Sequence, residues 1–263
     1  MTVLSDDEFA EAMSWPRYGG FWRRSIAALI DHLVVLIPLY ALVAGLFLLT
    51  DGGVKGHFSW MNWKICQPVT VHGDPSLARY DWQVCSTSVF GLTVAEWAAG
   101  AAPSTESGAN STLSIDLDLQ NNFRSAALDV GFLELLVLMA YLFGMELSWG
   151  QTFGKGVMSI RVYDQNDKGR VGLPVRMAAR RQVMKLLGPL SLTLTGAWFA
   201  FRAWGAAPGA APDFSWLEIT AAFAASIFSL AWSAWIGISI ALGNEPIHDR
   251  FAVTTVRIFK DLD

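Results

Sequence analysis

Chemically versatile side chains are scarce in this sequence. Four histidines and two cysteines occur in 263 residues. Neither His57 nor His72 shares a metal-ligand spacing with Cys66 or Cys85, so no metal site is expected. Charged residues make up only 16% of the chain, and the net charge of −4 excludes a globally basic nucleic-acid binder. No serine sits in a nucleophile elbow and no nucleophile-and-base constellation is visible, so neither catalysis nor a cofactor is expected. The glycines around Lys155 lack the spacing of a phosphate-binding loop, and no strand precedes them. A cleavable leader is also not expected. Ser5 to Glu11 is acidic, and the apolar run that follows is far longer than the hydrophobic region of a signal peptide.

Apolar length is what the chain has in excess. Hydrophobic residues reach 53% and are gathered into blocks, and several of the twelve tryptophans (Trp22, Trp149, Trp204, Trp216) stand at block edges, where an indole suits the headgroup level of a bilayer. Four blocks are candidates for membrane spans: 26–49, 127–149, 188–204 and 216–242. The third covers about 25 Å at 1.5 Å per residue, so it crosses only with local thinning of the bilayer, the alternative being a re-entrant or interfacial segment. Basic residues concentrate before the first block, between the second and third, and after the fourth. The positive-inside rule therefore puts both termini and the middle segment in the cytoplasm, which an even number of spans satisfies.

The expected fold is an α-helical membrane protein of the bacterial cytoplasmic (inner) membrane. Its expected order is a cytoplasmic N-terminus (1–22), a first transmembrane helix (23–49), an extracytoplasmic β-containing insert (50–126) and a second helix (127–149). A cytoplasmic strand, turn and amphipathic helix (150–187), a third helix (188–204), a short external loop (205–215), a fourth helix (216–242) and a cytoplasmic C-terminus (243–263) complete it.

In the insert, WKICQPVTV and YDWQVCSTSVF flank the turn-rich HGDPSLAR and read as two strands of a hairpin. That pairing would bring Cys66 and Cys85 together, and on an oxidising face they would form a disulfide; the alternative is two unpaired thiols. Residues 101–120 read as loop, with a short helix near Leu113 to Phe123. On the cytoplasmic side Val157 to Tyr163 alternates like a strand, DQNDKG is a turn, and Pro174 opens a helix. Its apolar sector (Val175, Ala178, Ala179, Val183, Leu186, Leu187) faces away from Arg176, Arg180, Arg181 and Lys185. This is the pattern of an interfacial helix drawn to anionic lipid headgroups, at about 1 kcal/mol per basic residue. The alternative is that these charges only hold the segment inside.

Asp31 lies within the first apolar block, where an aspartate costs about 2.5 to 3.5 kcal/mol unless it faces protein or a wet cavity. Arg24 precedes it by two helical turns, but its side chain points back toward the N-terminus and the cytoplasmic headgroups, which favours a pair with Asp249 over one with Asp31. The second block carries Asp129 and Glu134 toward its outer half and Glu146 near its inner end. Asp31, Glu134 and Glu146 could line an ion or proton path, or each could be a polar group satisfied by helix packing.

Three separated motifs, GFWRRSIAALID, GQTFGKGVMSIRVYDQNDKG and HDRFAVTTVRI, together resemble the RDD family of bacterial membrane proteins, named for an arginine and two aspartates. The resemblance implies that Arg24, Asp31 and Asp249 are that charged motif. Val253 departs from it, standing where the family has glycine. Some members resemble cation/proton antiporters, so the resemblance implies transport, or assistance to transport, of a small cation or proton. The rival expectation is a scaffold or accessory subunit that meets a protein partner, or a second copy of itself, through the external insert. A transporter requires Asp31 and Glu134 on one wet cavity, whereas a scaffold requires packed helices and an exposed apolar patch on the insert.

Overall fold

The computed structural model describes residues 17–58, 63–69, 80–101, 112–124, 127–167, 169–204 and 214–259. The HGDPSLAR turn with His72, the acidic start and most of the 205–215 connection lie outside them. The described helices are α1 (Phe21–Leu49), α2 (Leu133–Trp149), α3 (Phe153–Val157), α4 (Val175–Trp204), α5 (Trp216–Ala241) and α6 (Ile247–Ala252). The chain divides into two compact units. One contains Met1–Val35, Leu138–Pro189 and Ser229–Asp263; the other contains Leu36–Val137 and Leu190–Phe228.

Two helices, α1 and α5, are long and apolar enough to cross a bilayer. On α5 the large residues stand outward, with Trp216, Leu217, Phe223, Leu230 and Trp235 all more than 60% exposed. In water such a surface would be a liability, whereas hydrocarbon accepts it. The second expected span is shorter than the sequence suggests: α2 starts at Leu133 and has seventeen residues, about 25 Å of helix. Leu128–Asp129 is instead a short strand, β7, paired with β1 (Val54–Lys55). Asp129 explains the break, because its carboxylate accepts from the Gly131 and His57 N–H groups and from the His57 ring. The third span and the amphipathic segment before it form one continuous thirty-residue helix, α4, which passes through Pro189. It begins where expected, with the Pro174 carbonyl accepting the first helical bond, from Ala178 at 2.9 Å.

In the second unit an antiparallel sheet runs β2 (Trp63–Val69), β3 (Asp81–Val89), β4 (Leu92–Ala101), β5 (Thr112–Leu117), β6 (Phe123–Arg124). The expected hairpin is β2 with β3; Cys66 faces Cys85 directly and the two form a disulfide with their Cα atoms 4.0 Å apart. Of the expected loop, 102–111 lie outside the described residues; over 112–124 the expected loop and short helix are replaced by β5, a turn built around Asp118, and β6. Asp118 accepts from the Gln120 and Asn122 N–H groups and so offers the backbone a turn in place of a helix. Leu36, Tyr40, Val43 and Ala44 of α1 pack with Phe58, Val89 and Val94 in this unit's core.

In the first unit β8 (Ile160–Asp164) pairs antiparallel with β9 (Thr254–Ile258), and Tyr18 adds a bridge to Arg257. Ile160, Val162 and Val256 point inward to join Ala27, Leu173 and Ala178. The departure at Val253 does not abolish the turn there. Val253 takes left-handed backbone angles, φ 54° and ψ 44°, and its N–H caps α6. A β-branched residue in that region costs about 1 to 2 kcal/mol, which glycine would avoid.

Candidate functional site: a buried charge chain and a capped helix

Five segments of the first unit deliver charged side chains to one buried place. Arg24 of α1 donates from Nη1 to Asp249 Oδ2 at 3.0 Å, from Nε to the Gly19 carbonyl at 2.8 Å and from Nη2 to the Val256 carbonyl at 3.3 Å. Asp249 of α6 accepts on its other oxygen from Arg181 Nε at 2.7 Å and from the Thr254 hydroxyl at 3.2 Å. Arg181 of α4 then pairs with Glu146 of α2, which also accepts from Lys155 of α3 and, at 2.6 Å, from the Gln182 amide. The charges alternate along the series Arg24, Asp249, Arg181, Glu146, Lys155. Glu146 and Asp249 are wholly buried and Arg181 is 2% exposed.

Burying ions is costly, and it is tolerated when opposite charges meet at good geometry and further hydrogen bonds take up their remaining donors and lone pairs. Burial pushes the Asp249 carboxyl up, but Arg181, His248 and Arg24 together outweigh it, and the group is held below the usual carboxylate range. Burial works to lower Arg181, but Asp249 and Glu146 outweigh it, and its guanidinium is held above its ordinary value. For Lys155 burial wins over Glu146, and its ammonium falls to about 8. His248, buried beside Asp249, is driven down to about 3 by burial, so it stays neutral.

Asp31 is 2% exposed and does a different job. Its Oδ1 accepts from the Gly154 N–H at 2.8 Å and from the Tyr141 hydroxyl at 3.1 Å, and its Oδ2 accepts from the Thr152 hydroxyl. Tyr141 in turn accepts from the Phe153 N–H at 3.0 Å, and Thr152 accepts from the Lys155 N–H at 3.4 Å. The first three N–H groups of α3 are thus all satisfied, one by Asp31 directly and two by hydroxyls that Asp31 holds. At the other end Arg23 Nη1 donates to the Met158 carbonyl at 3.0 Å. The short helix therefore lies along α1 with an anion at its positive end and a cation at its negative end, the arrangement its dipole favours. Between them Gly154 meets Ala27: a Cβ there would stand 2.1 Å from the Ala27 carbonyl oxygen, so only glycine allows this approach. Arg23, Ala27 and Asp31 recur every fourth residue, one stripe of α1 that reads the GQTFGKG segment from end to end.

The sequence-derived site residues separate on this geometry. Arg24 and Asp249 meet, and Arg24 turns inward to this pair instead of reaching for headgroups. Arg181, expected on a lipid-facing basic surface, is buried between two carboxylates, while Val175 and Val183 of the expected inner sector are 60% and 46% exposed. The pattern misleads because two acids on distant segments make the interior a better place for Arg181 than the interface. Arg176 and Arg180 are exposed, and Lys185 is half-buried near Glu146, Asp31 and Asp249. Glu146 is saturated. Glu134 falls in the second unit, in the electrostatic neighbourhood of Tyr40. Thr152, Gly154, Lys155, Tyr141, Gln182 and Thr254 are the members that sequence reasoning missed. The clue was in view for three of them, since GQTFGKG keeps small and polar residues beside an apolar span without being a phosphate loop.

Among the described residues no group of acids, histidines or cysteines is arranged to hold a metal ion. Neither the characterised proteins nor the solved structures compared with this chain yield a match. The model of the RDD family matches residues 18–252, which include the first two motifs whole, the start of the third, and Arg24, Asp31 and Asp249. The two long apolar helices and this match together point to a membrane protein, and the chain belongs to the RDD family.

Proposed function

We propose that this protein is a four-span protein of the bacterial inner membrane, with both termini and the 150–187 segment cytoplasmic, that serves as a scaffold or accessory subunit rather than an enzyme or a carrier. The observation that carries this reading is the saturation of the inner carboxylates: Asp31, Glu146 and Asp249 each accept from at least three fixed donors, none of them a mobile ion. A carrier needs a carboxylate that exchanges partners, whereas these join five chain segments into one inner end. The insert supports the reading too. On the edge strand β2, Trp63, Ile65 and Val69 stand 73%, 54% and 44% exposed, a patch suited to a protein partner or a second copy.

Transport of a small cation or proton through Asp31, Glu134 and Glu146 is the second reading, and one observation favours it. The Lys185 ammonium has no hydrogen bond or ion pair among the described residues, and burial lowers its proton affinity despite Glu146 close by. Proteoliposomes separate the two. The scaffold reading expects sodium, potassium and proton flux no higher than in protein-free vesicles, for wild type and Asp31→Asn alike. Flux carried by wild type and lost in Asp31→Asn would establish the carrier.

A further inference from the structure

We propose that the crevice beside α3 binds one anionic phospholipid, with an acyl chain lying in the crevice and the phosphate on Arg23; the inference rests on the membrane reading above. Met145, Trp149, Gln151, Thr152, Phe153, Gly156 and Val157 line a volume of about 300 Å³. Trp149, Phe153 and Val157 are each more than half exposed, so the inner end of α2 and the outer face of α3 make a concave apolar surface, not a flat one. The polar side chains of the lining carry no charge: Gln151 is a half-buried amide at the crevice. Thr152 is turned to Asp31, and the carboxylates of Asp31 and Glu146 are occupied within the protein, so no acid competes for a cation at the rim.

Arg23 supplies that cation. It is exposed, and its one hydrogen bond among the described residues goes to the carbonyl of Met158, the residue after Val157 of the lining. Its remaining donors are available to a phosphate, which a guanidinium grips in two-point fashion. Depth fits as well: Arg23 lies two helical turns on the cytoplasmic side of Asp31, about 12 Å along the axis, where the headgroup layer meets the chains. A largely apolar cleft with a guanidinium nearby that keeps donors to spare is complementary to an anionic lipid in both parts. A soluble anion would use only Arg23, and a neutral lipid only the cleft.

Gly156 provides a clean test, because a Cβ there meets nothing within 4 Å and a larger side chain would fill the crevice without touching the backbone. The full chain, purified in mild detergent, is presented with phosphatidylglycerol and phosphatidylcholine of equal chain length, and retained lipid is counted by native mass spectrometry. Wild type is expected to keep one phosphatidylglycerol per chain in preference to phosphatidylcholine, by about fivefold, the worth of one basic residue at an anionic surface. Gly156→Leu is expected to keep neither lipid while unfolding at or above the wild-type temperature, and Arg23→Gln to keep both lipids equally. Unchanged phosphatidylglycerol retention in Gly156→Leu, or equal retention of the two lipids by wild type, overturns the site. Release of the protein from membranes by alkaline carbonate without detergent overturns the membrane reading, and the site with it.

Discussion

Two glycines of the GKG triplet should respond in opposite directions to the same added methyl group. In Gly154→Ala the new Cβ would lie 2.1 Å from the Ala27 carbonyl oxygen and 3.0 Å from the Asp31 carboxyl carbon. Ordinary contact requires α3 to retreat by about 1 Å, and the 2.8 Å bond from the Gly154 N–H to Asp31 does not survive such a shift. Losing a hydrogen bond to a charged acceptor costs about 1.5 to 3 kcal/mol, and leaving a buried carboxylate under-satisfied adds about 1 to 3. The helical preference of alanine returns about 0.5 to 1 kcal/mol, which leaves a net loss of about 2 to 5. Gly156→Ala meets no neighbour and should instead gain about 0.5 to 1 kcal/mol. Thermal unfolding of the full chain in mild detergent reads both, at about 2 to 4 °C per kcal/mol for a chain of this size. The expected outcome is a drop of at least about 4 °C for Gly154→Ala and a small rise for Gly156→Ala. Equal midpoints for the two variants would refute the claim that α3 is seated against α1 through Gly154.

The charge chain makes two further claims on measurement. Arg24→Ala and Asp249→Ala, made singly and together, should give a coupling of at least about 1 kcal/mol in unfolding by denaturant, because removing either partner strands the other; additive losses would place the two residues apart. His248 sets an acid limb. Its folded-state affinity for protons is pushed down to about 3 while the unfolded chain takes up its proton near 6.5, so stability falls as pH drops through that window, by up to about 1.4 kcal/mol per pH unit. His248→Gln should flatten the unfolding midpoint between pH 6 and about 4, and an unchanged slope would clear His248 of the effect.

Some of this arrangement was legible in the sequence because it follows from depth along a single helix. Arg24 at the start of α1 and Asp249 just beyond α5 share a level, and their pairing needs no knowledge of how the helices pack. The β2 to β3 hairpin was equally readable, since aromatic and β-branched residues flank a turn and the two cysteines hold matching positions. Strand β4 was not, because Leu92–Ala101 is rich in alanine and is held by its neighbours on both sides instead of by its own preference. The series through Arg181, Glu146 and Lys155 was also hidden. Arg181 looks, by itself, like a lipid-facing or topological charge and Glu146 like a path or packing group, and only the packing of three separate helices shows that Glu146 is the counter-ion of both Arg181 and Lys155. Val253 shows a local rule giving way: the turn forms in the place the family reserves for glycine, carried by the pairing of β9 with β8 that follows it.

The pair that closes the inner end joins residues 225 positions apart. At a synthesis rate of about 5 to 20 residues per second, a ribosome continues for roughly ten to forty-five seconds after making Arg24 before its counter-ion exists. Arg24 waits through that whole interval without Asp249, whereas Arg181, made only 68 residues before it, waits through the last part alone. A chain halted before residue 249 would keep the Arg181 to Glu146 pair but would leave Arg24 without its carboxylate, so the inner end closes only once the last short helix has been made.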